Sequence, residues 1–155
     1  MTAATSSTTF MREPTLLPMG LGTVLDLFKN GKLPVDEATM IDKVFGPEGD
    51  RGSLVISGAS GIVGAGKVMQ FGSRLAPYGV PVVALDFPNA PDGIGMQYAG
   101  LEAAFGWEGA NRIMSNVVRL SYDGKTLPKE LHDLKPKFLL EAIPEILDVK
   151  KAHYK

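Results

Sequence analysis

Apolar residues recur along the chain in short runs that alternate with stretches of helical spacing. Short continuous runs are typical of strands buried on both faces, and they lie at 54–56, 80–86, 116–122 and 138–143. Apolar positions three or four residues apart predict helices at 62–77, 95–105, 108–116 and 129–134. Pro144 is predicted to open a last helix, because proline is tolerated in a first turn. Strands that alternate with helices predict an α/β fold with a parallel sheet in the order 3-2-1-4.

The N-terminal part of the chain follows a different pattern. Residues 1–15 are rich in Thr, Ser and Ala, lack the apolar centre of a secretory signal, and are predicted to be a flexible arm. Residues 16–52 are predicted to be a helical extension and linker, with one helix that ends near Gly31 and a second that Asp36 caps. Residues 53–155 then contain the predicted α/β domain.

A glycine-rich segment joins the first predicted strand to the helix that follows it. Gly58, Gly61 and Gly64 have the spacing G-x-x-G-x-x-G, which is typical of a dinucleotide-binding turn. Such a turn lets the backbone approach a pyrophosphate, and the helix offers it unpaired N–H groups and a positive dipole end. The segment therefore predicts a Rossmann-like sheet, incomplete because about four strands are fewer than the six of a complete dinucleotide fold.

The second predicted strand ends in an acidic residue, Asp86, which a dinucleotide site requires. A carboxylate at this position binds the hydroxyls of the adenosine ribose and disfavours a 2′-phosphate, so the predicted cofactor is NAD and not NADP. The separation between Gly58 and Asp86 is longer than the ~20 residues that usually separate the glycine motif from the acidic residue. A longer intervening helix would account for the difference.

Two other motifs are nearly matched by the same segment. Gly61 to Lys67 resembles a P-loop, but Val68 stands where that loop needs a Ser or Thr hydroxyl for magnesium. A G-x-S-x-G nucleophile elbow fails because Ile62 occupies the final glycine position. Ser60 is therefore interpreted as a turn residue or a phosphate donor.

Composition narrows the range of partners and sites. The chain has 155 residues with 45% hydrophobic content, enough for one ordinary core. Lys plus Arg number 16 against 17 for Asp plus Glu, so no broad positive field attracts nucleic acid or an anionic membrane. The absence of cysteine excludes disulfides and thiolate metal sites and is compatible with the cytoplasm. His132 and His153 lie in no metal-ligand spacing and are expected at the surface, whereas Phe105 and Trp107 are expected in the core or an interface.

The segment from Phe138 onward carries the pattern of an apolar strand, Glu-Ala-Ile, one residue, Glu, and a helix with a Lys. With the glycine turn and Asp86, it resembles the NAD-binding domain of the 3-hydroxyacyl-CoA dehydrogenases over about residues 54–155. The resemblance implies that the backbone around Ala142 and the side chains of Glu145 and Lys150 border the cofactor. The predicted cofactor-binding residues are therefore Gly58, Ser60, Gly61, Ile62, Val63, Gly64, Asp86, Ala142, Glu145 and Lys150.

The resemblance also implies an activity, the transfer of hydride between NAD and a 3-hydroxyacyl-CoA or related acyl thioester in fatty acid metabolism. The family's catalytic His and its Glu partner come later in the chain than residue 155, so we expect no catalytic residue here and an acyl-CoA partner bound through a further C-terminal part. Ser60 lengthens the turn relative to the family, as in extended short-chain dehydrogenases. Two alternative functions stay open, a short-chain-type reductase and a non-catalytic nucleotide-binding module, and so does assembly into a homo-oligomer. A short-chain-type reductase would use a Tyr-x-x-x-Lys pair for proton transfer, but Tyr78, Tyr98 and Tyr122 have no Lys four residues later.

Overall fold

A computed structural model describes residues 36–154 of the chain. The predicted arm and the helix predicted to end near Gly31 lie outside the described residues. The described residues from Ile41 onward belong to one compact unit. The first described helix, α1, is Glu37–Phe45, and Asp36 caps it as predicted by accepting a hydrogen bond from the Thr39 N–H at 3.0 Å.

From residue 53 onward, strands and helices alternate. The strands are β1 (Ser53–Ser57), β2 (Val82–Asp86), β3 (Val117–Ser121) and β4 (Pro136–Glu141). The helices are α2 (Ile62–Leu75), α3 (Gly93–Met96), α4 (Tyr98–Ser115), α5 (Glu130–Asp133) and α6 (Leu147–His153). A single 3₁₀ turn, Ala76–Tyr78, follows α2.

The four strands form one all-parallel sheet in the order β3-β2-β1-β4, which confirms the predicted α/β fold and strand order. The sheet is Rossmann-like and partial. All five residues of β1 are buried, whereas the side chains at the start of the edge strand β4 are exposed. Because all four strands are parallel, their carboxyl ends lie at the same edge of the sheet, and the glycine turn and Asp86 lie at that edge.

Side chains of alternate residues in the central strands face two separate clusters. Leu54 and Ile56 pack with α2, α3 and α4 in the larger cluster. Val55 and Leu85 face the smaller one, to which α5 contributes Leu131. The crossovers from β1 to β2 and from β2 to β3 run in the same direction and are right-handed, so their helices lie on one face of the sheet. The crossover from β3 to β4 runs in the opposite direction, so it lies on the other face.

Several boundaries differ from the predicted ones. The last helix begins at Leu147 and not at Pro144, because the Glu141 carboxylate holds the Ile143 N–H at 2.8 Å and the Ile146 N–H bonds to the Pro144 carbonyl at 2.7 Å. α4 consists of two helical segments joined by a kink at Gly106, whose φ of 72° and ψ of 170° are not helical, at the position where a break between two helices was predicted.

Phe105 and Trp107 do not lie in the core, so of the two predicted locations only an interface stays a prediction. The side chains are 53% and 65% exposed. The buried residues of α4 are Leu101, Gly109, Ala110 and Ile113. The kink at Gly106 lies between Leu101 and Gly109. The buried face of the helix therefore does not include either aromatic residue.

Candidate dinucleotide-binding site

The turn after β1 lies between the carboxyl ends of β2 and β4. The N–H groups of Gly58 and Ala59 both bond to the Leu85 carbonyl, at 3.0 and 3.3 Å. Gly58 has φ +74°, and a Cβ atom on it would lie 2.9 Å from the carbonyl carbon and oxygen of Ala142. Only glycine fits both the backbone conformation and this close approach.

Gly61 and Gly64 have different surroundings. A Cβ atom on Gly64 would overlap the Gly58 carbonyl oxygen and lie 2.8 Å from the Ala59 Cα, so Gly64 lets α2 pack against the turn. A Cβ atom on Gly61 would meet only the Gly58 carbonyl oxygen, at 3.7 Å. Glycine at position 64 is therefore needed for packing within the protein, whereas position 61 faces open space.

The first turn of α2 presents N–H groups to that open space. The first hydrogen bond of the helix runs from the Ala65 N–H to the Gly61 carbonyl at 2.8 Å, so the earlier N–H groups have no carbonyl one helical turn back. Within the described residues, no side chain caps this end and its first turn contains no acidic residue. Ile62 and Val63 are 93% and 65% exposed. The helix therefore begins with a positive dipole end that no side chain of its own first turn offsets, beside apolar surface.

Asp86 connects the end of β2 to this turn. Its Oδ2 accepts a hydrogen bond from the Ser60 N–H at 2.7 Å, and its Oδ1 accepts one from the Phe87 N–H at 2.8 Å. The residue is partly exposed. Because each carboxylate oxygen has two lone pairs, an acceptor position remains on each oxygen for a ligand hydroxyl.

The segment after Asp86 packs against the turn through Gly93, where a Cβ atom would overlap the Ser60 carbonyl oxygen. Asp92 holds this segment in place by accepting a hydrogen bond from the Gly95 N–H and pairing with Arg119, both at 2.8 Å. The bond from the Gly95 N–H, and then Arg119, hold the pKa of Asp92 below its usual value. Sequence reasoning missed Gly93, although a glycine directly after an Asp in a loop signals a close backbone approach.

The segment after β4 meets the turn from the other side. The Ala142 N–H bonds to the Ser57 carbonyl at 2.8 Å, and the Ala142 backbone is the group that a side chain on Gly58 would strike. The structure therefore brings Ala142 together with the predicted residues of the glycine turn.

Glu145 and Lys150 lie in a cluster of ionisable side chains centred on Glu141. Lys150 Nζ is 2.7 Å from Glu145 Oε1 and 3.0 Å from Glu141 Oε2, which also accepts a hydrogen bond from the Tyr154 hydroxyl at 2.8 Å. Hydrogen bonds from Lys150 and Tyr154 lower the pKa of Glu141, and those to Glu145 and Glu141 raise the pKa of Lys150. The sequence did not predict that Glu141 is the centre of this cluster, because its partner Tyr154 is distant in sequence.

An aromatic group lies beside Asp86 at the same sheet edge. Phe87 stacks on Tyr122 with ring centroids 5.6 Å apart, and the Tyr122 hydroxyl is 2.7 Å from His153 Nδ1. The predicted surface position is confirmed for His132, which is almost fully exposed. His153 keeps part of its surface, but its contact with Tyr122 leaves it half-buried.

Comparisons with protein-family models, with curated proteins and with solved structures found no match for this chain. Between residues 36 and 154, no helix has both the length and the apolar character needed to cross a membrane.

Proposed function

We propose that this chain binds NAD(H) at the carboxyl edge of its sheet, as the cofactor-binding part of an oxidoreductase. The observation that carries the proposal is the hydrogen bond between the Asp86 carboxylate and the Ser60 N–H, because it fixes the acid directly beside the glycine turn. A dinucleotide requires both groups at once, an acceptor for ribose hydroxyls and a close backbone approach for the pyrophosphate.

The residues present fit this cofactor. Asp86 would hold the adenosine ribose, and the open N–H groups at Ile62 and Val63 would hold the pyrophosphate, for which Gly61 leaves space. Ala142 and Ile143 would border the other side of the turn. When bound, NAD supplies a hydride acceptor, and the task of this chain is to orient it.

The preference for NAD over NADP follows from charge. Asp86 keeps unoccupied lone pairs on both carboxylate oxygens, which favour ribose hydroxyls and repel a 2′-phosphate. A P-loop is disfavoured by Lys67 as well as by Val68, since Lys67 Nζ bonds to Gln70 Oε1 at 3.1 Å, farther along the same helix and away from the turn.

The substrate proposal rests on the resemblance of the segment around Glu141 to Lys150. We infer that hydride passes between NAD and a 3-hydroxyacyl-CoA or related acyl thioester, with the proton-transferring groups supplied from outside this chain. The ion pairs of Lys150 with Glu141 and Glu145 keep its ammonium group close to the chain segment that follows Ala142.

Calorimetric titration with NAD⁺, NADP⁺ and magnesium ATP tests the cofactor proposal. We expect the tightest binding for NAD⁺, and Asp86→Ala should weaken it by about 1–3 kcal/mol through the loss of hydrogen bonds to a charged acceptor. Asp123→Ala is a matched control, because Asp123 also accepts two backbone N–H bonds, at 2.8 Å each, in the turn after the neighbouring strand. Equal NAD⁺ affinity in the two variants, or a preference for magnesium ATP, would refute the assignment.

A further inference from the structure

A groove of about 1070 Å³ lies on the face of the sheet opposite α2. Its apolar lining includes Val55, Leu85, Leu131 and Leu139. The groove exists because the crossover from β3 to β4 contains only the four-residue helix α5, which is too short to cover the strands beneath it. The volume is slightly above the range of about 300–1,000 Å³ that is typical of small-molecule sites.

One buried side chain at the floor of the groove has no hydrogen-bond partner. The Ser57 side chain is 0% exposed, lines the groove, and its Oγ bonds to no other atom of the described chain. Ser57 points to the same side of β1 as Val55, because alternate residues of a strand share a face. A buried hydroxyl without a partner is costly, so a ligand oxygen that completes its hydrogen bond would bind favourably there.

The charges around the groove indicate the character of that ligand. The charged side chains in its lining are two lysines and two aspartates, namely Lys125, Lys151, Asp123 and Asp148. Because these balance, the groove selects neither an anion nor a cation. A serine hydroxyl can donate to a carbonyl oxygen or accept from a hydroxyl, and it offers no charge to compensate a buried ion.

We propose that this groove is a binding site for a small, neutral, mainly apolar molecule with one hydroxyl or carbonyl oxygen, which Ser57 binds. Because Ser57 is fully buried, a ligand reaches its hydroxyl only when a lining side chain moves, and Phe87 and Leu139 are each more than half exposed and have room to do so. The proposal does not depend on dinucleotide binding, since the groove and the first turn of α2 lie on opposite faces of the sheet.

The test is a calorimetric titration of the full chain with 1-octanol, followed in parallel by amide shifts in two-dimensional NMR spectra. Ser57→Ala should weaken 1-octanol binding by about 2- to 10-fold, the effect of one hydrogen bond. Ser53→Ala is the matched control and should leave affinity unchanged. Ser53 lies on the same face of the same strand and its Oγ is equally buried and unpartnered, but it does not line the groove.

A second pair of variants tests the groove without touching the serines. Leu139→Trp should fill the groove and lower 1-octanol affinity by roughly tenfold or more. Phe138→Trp should not, because Phe138 is the adjacent and equally exposed residue of β4 but lies outside the groove lining. Thermal melting of each variant confirms that it folds.

Four outcomes would overturn the proposal. These are no saturable 1-octanol binding, equal effects of Ser57→Ala and Ser53→Ala, equal effects of the two tryptophan variants, and, in a parallel titration with octanoate, tighter binding of octanoate than of 1-octanol. Concentration-dependent dimerisation that abolishes 1-octanol binding would assign the groove to a second copy of the chain instead.

Discussion

The two faces of the sheet are covered by different kinds of interaction. On one face, α2, α3 and α4 bury a continuous apolar cluster that includes Val68 and Ile94. On the other, α6 lies beside the groove and is held by polar contacts, between His153 and Tyr122, between Tyr154 and Glu141, and between Lys150 and Glu141. The first face is therefore closed and apolar, whereas the second has a smaller apolar cluster, is partly open, and holds α6 through ionisable groups.

This difference follows from the lengths of the crossovers. The connections that lead from β1 to β2 and from β2 to β3 carry long helices, and each helix covers the strands it joins. The connection to β4 carries one turn of helix and leaves the second face accessible. A Rossmann-like sheet with one reduced crossover can therefore keep the glycine turn on its closed face and leave a groove on the other.

The largest effect is expected at the contact between α2 and the turn. Gly64→Val should cost about 3 kcal/mol or more in unfolding free energy, because the added side chain strikes backbone atoms of Gly58 and Ala59 that cannot move independently. Gly61→Val should cost less than about 1 kcal/mol, since its φ of −69° suits any residue and its surroundings are open. Urea denaturation measures both changes.

NAD⁺ titration then separates packing from binding at the same two positions. Folded Gly61→Val should lose at least about tenfold in NAD⁺ affinity, because its side chain would occupy the space left for the pyrophosphate. Unchanged NAD⁺ affinity in this variant would mean that the phosphates bind elsewhere. The proposal that the glycine turn binds the pyrophosphate would then be refuted.

A smaller effect distinguishes the two faces directly. Ile94 and Leu131 are matched, because each is the buried aliphatic residue of a four-residue helix, one on each face. Ile94→Ala should cost about 2–5 kcal/mol, the usual value for a closed core. Leu131→Ala should cost less than about 2 kcal/mol, because its side chain already borders the groove and water can enter the space it leaves. Equal losses in chemical denaturation would mean that the groove closes in solution.

The strand order and the position of the turn could be predicted because they depend on local pattern. Buried parallel strands form continuous apolar runs, and the spacing of Gly58 and Gly64 depends on a backbone geometry that few sequences allow. The missing hydrogen bond of Ser57 could not be predicted, since burial of a serine depends on how distant segments pack. The contact of His153 with Tyr122 joins residues 31 positions apart and leaves no local pattern.

The smallest effect concerns pH and the polar contacts of the open face. Hydrogen bonds from Lys150 and Tyr154 hold the pKa of Glu141 below its usual value of 4.5. A carboxyl group whose pKa is lowered by folding stabilises the fold above its unfolded pKa, and that contribution is lost as pH falls through the folded pKa. Acidification should therefore loosen α6 before it affects the apolar contacts of α2.

Amide shifts followed in NMR spectra between about pH 5.5 and 3 test this prediction, in a range below the ordinary titration of histidine. In the wild type, the N–H groups of Lys150 and Tyr154, which bond within or at the ends of α6, should shift or broaden at higher pH than that of Ala65 in α2. Glu141→Gln removes the charge that attracts Lys150, so its α6 should already be loosened at pH 5.5 and change little on acidification. An identical pH dependence in the variant and the wild type would show that ion pairing with Glu141 does not hold α6 over the open face. The contact between the Tyr122 hydroxyl and His153 would then be the next one to test, and Tyr122→Phe is the variant that removes it.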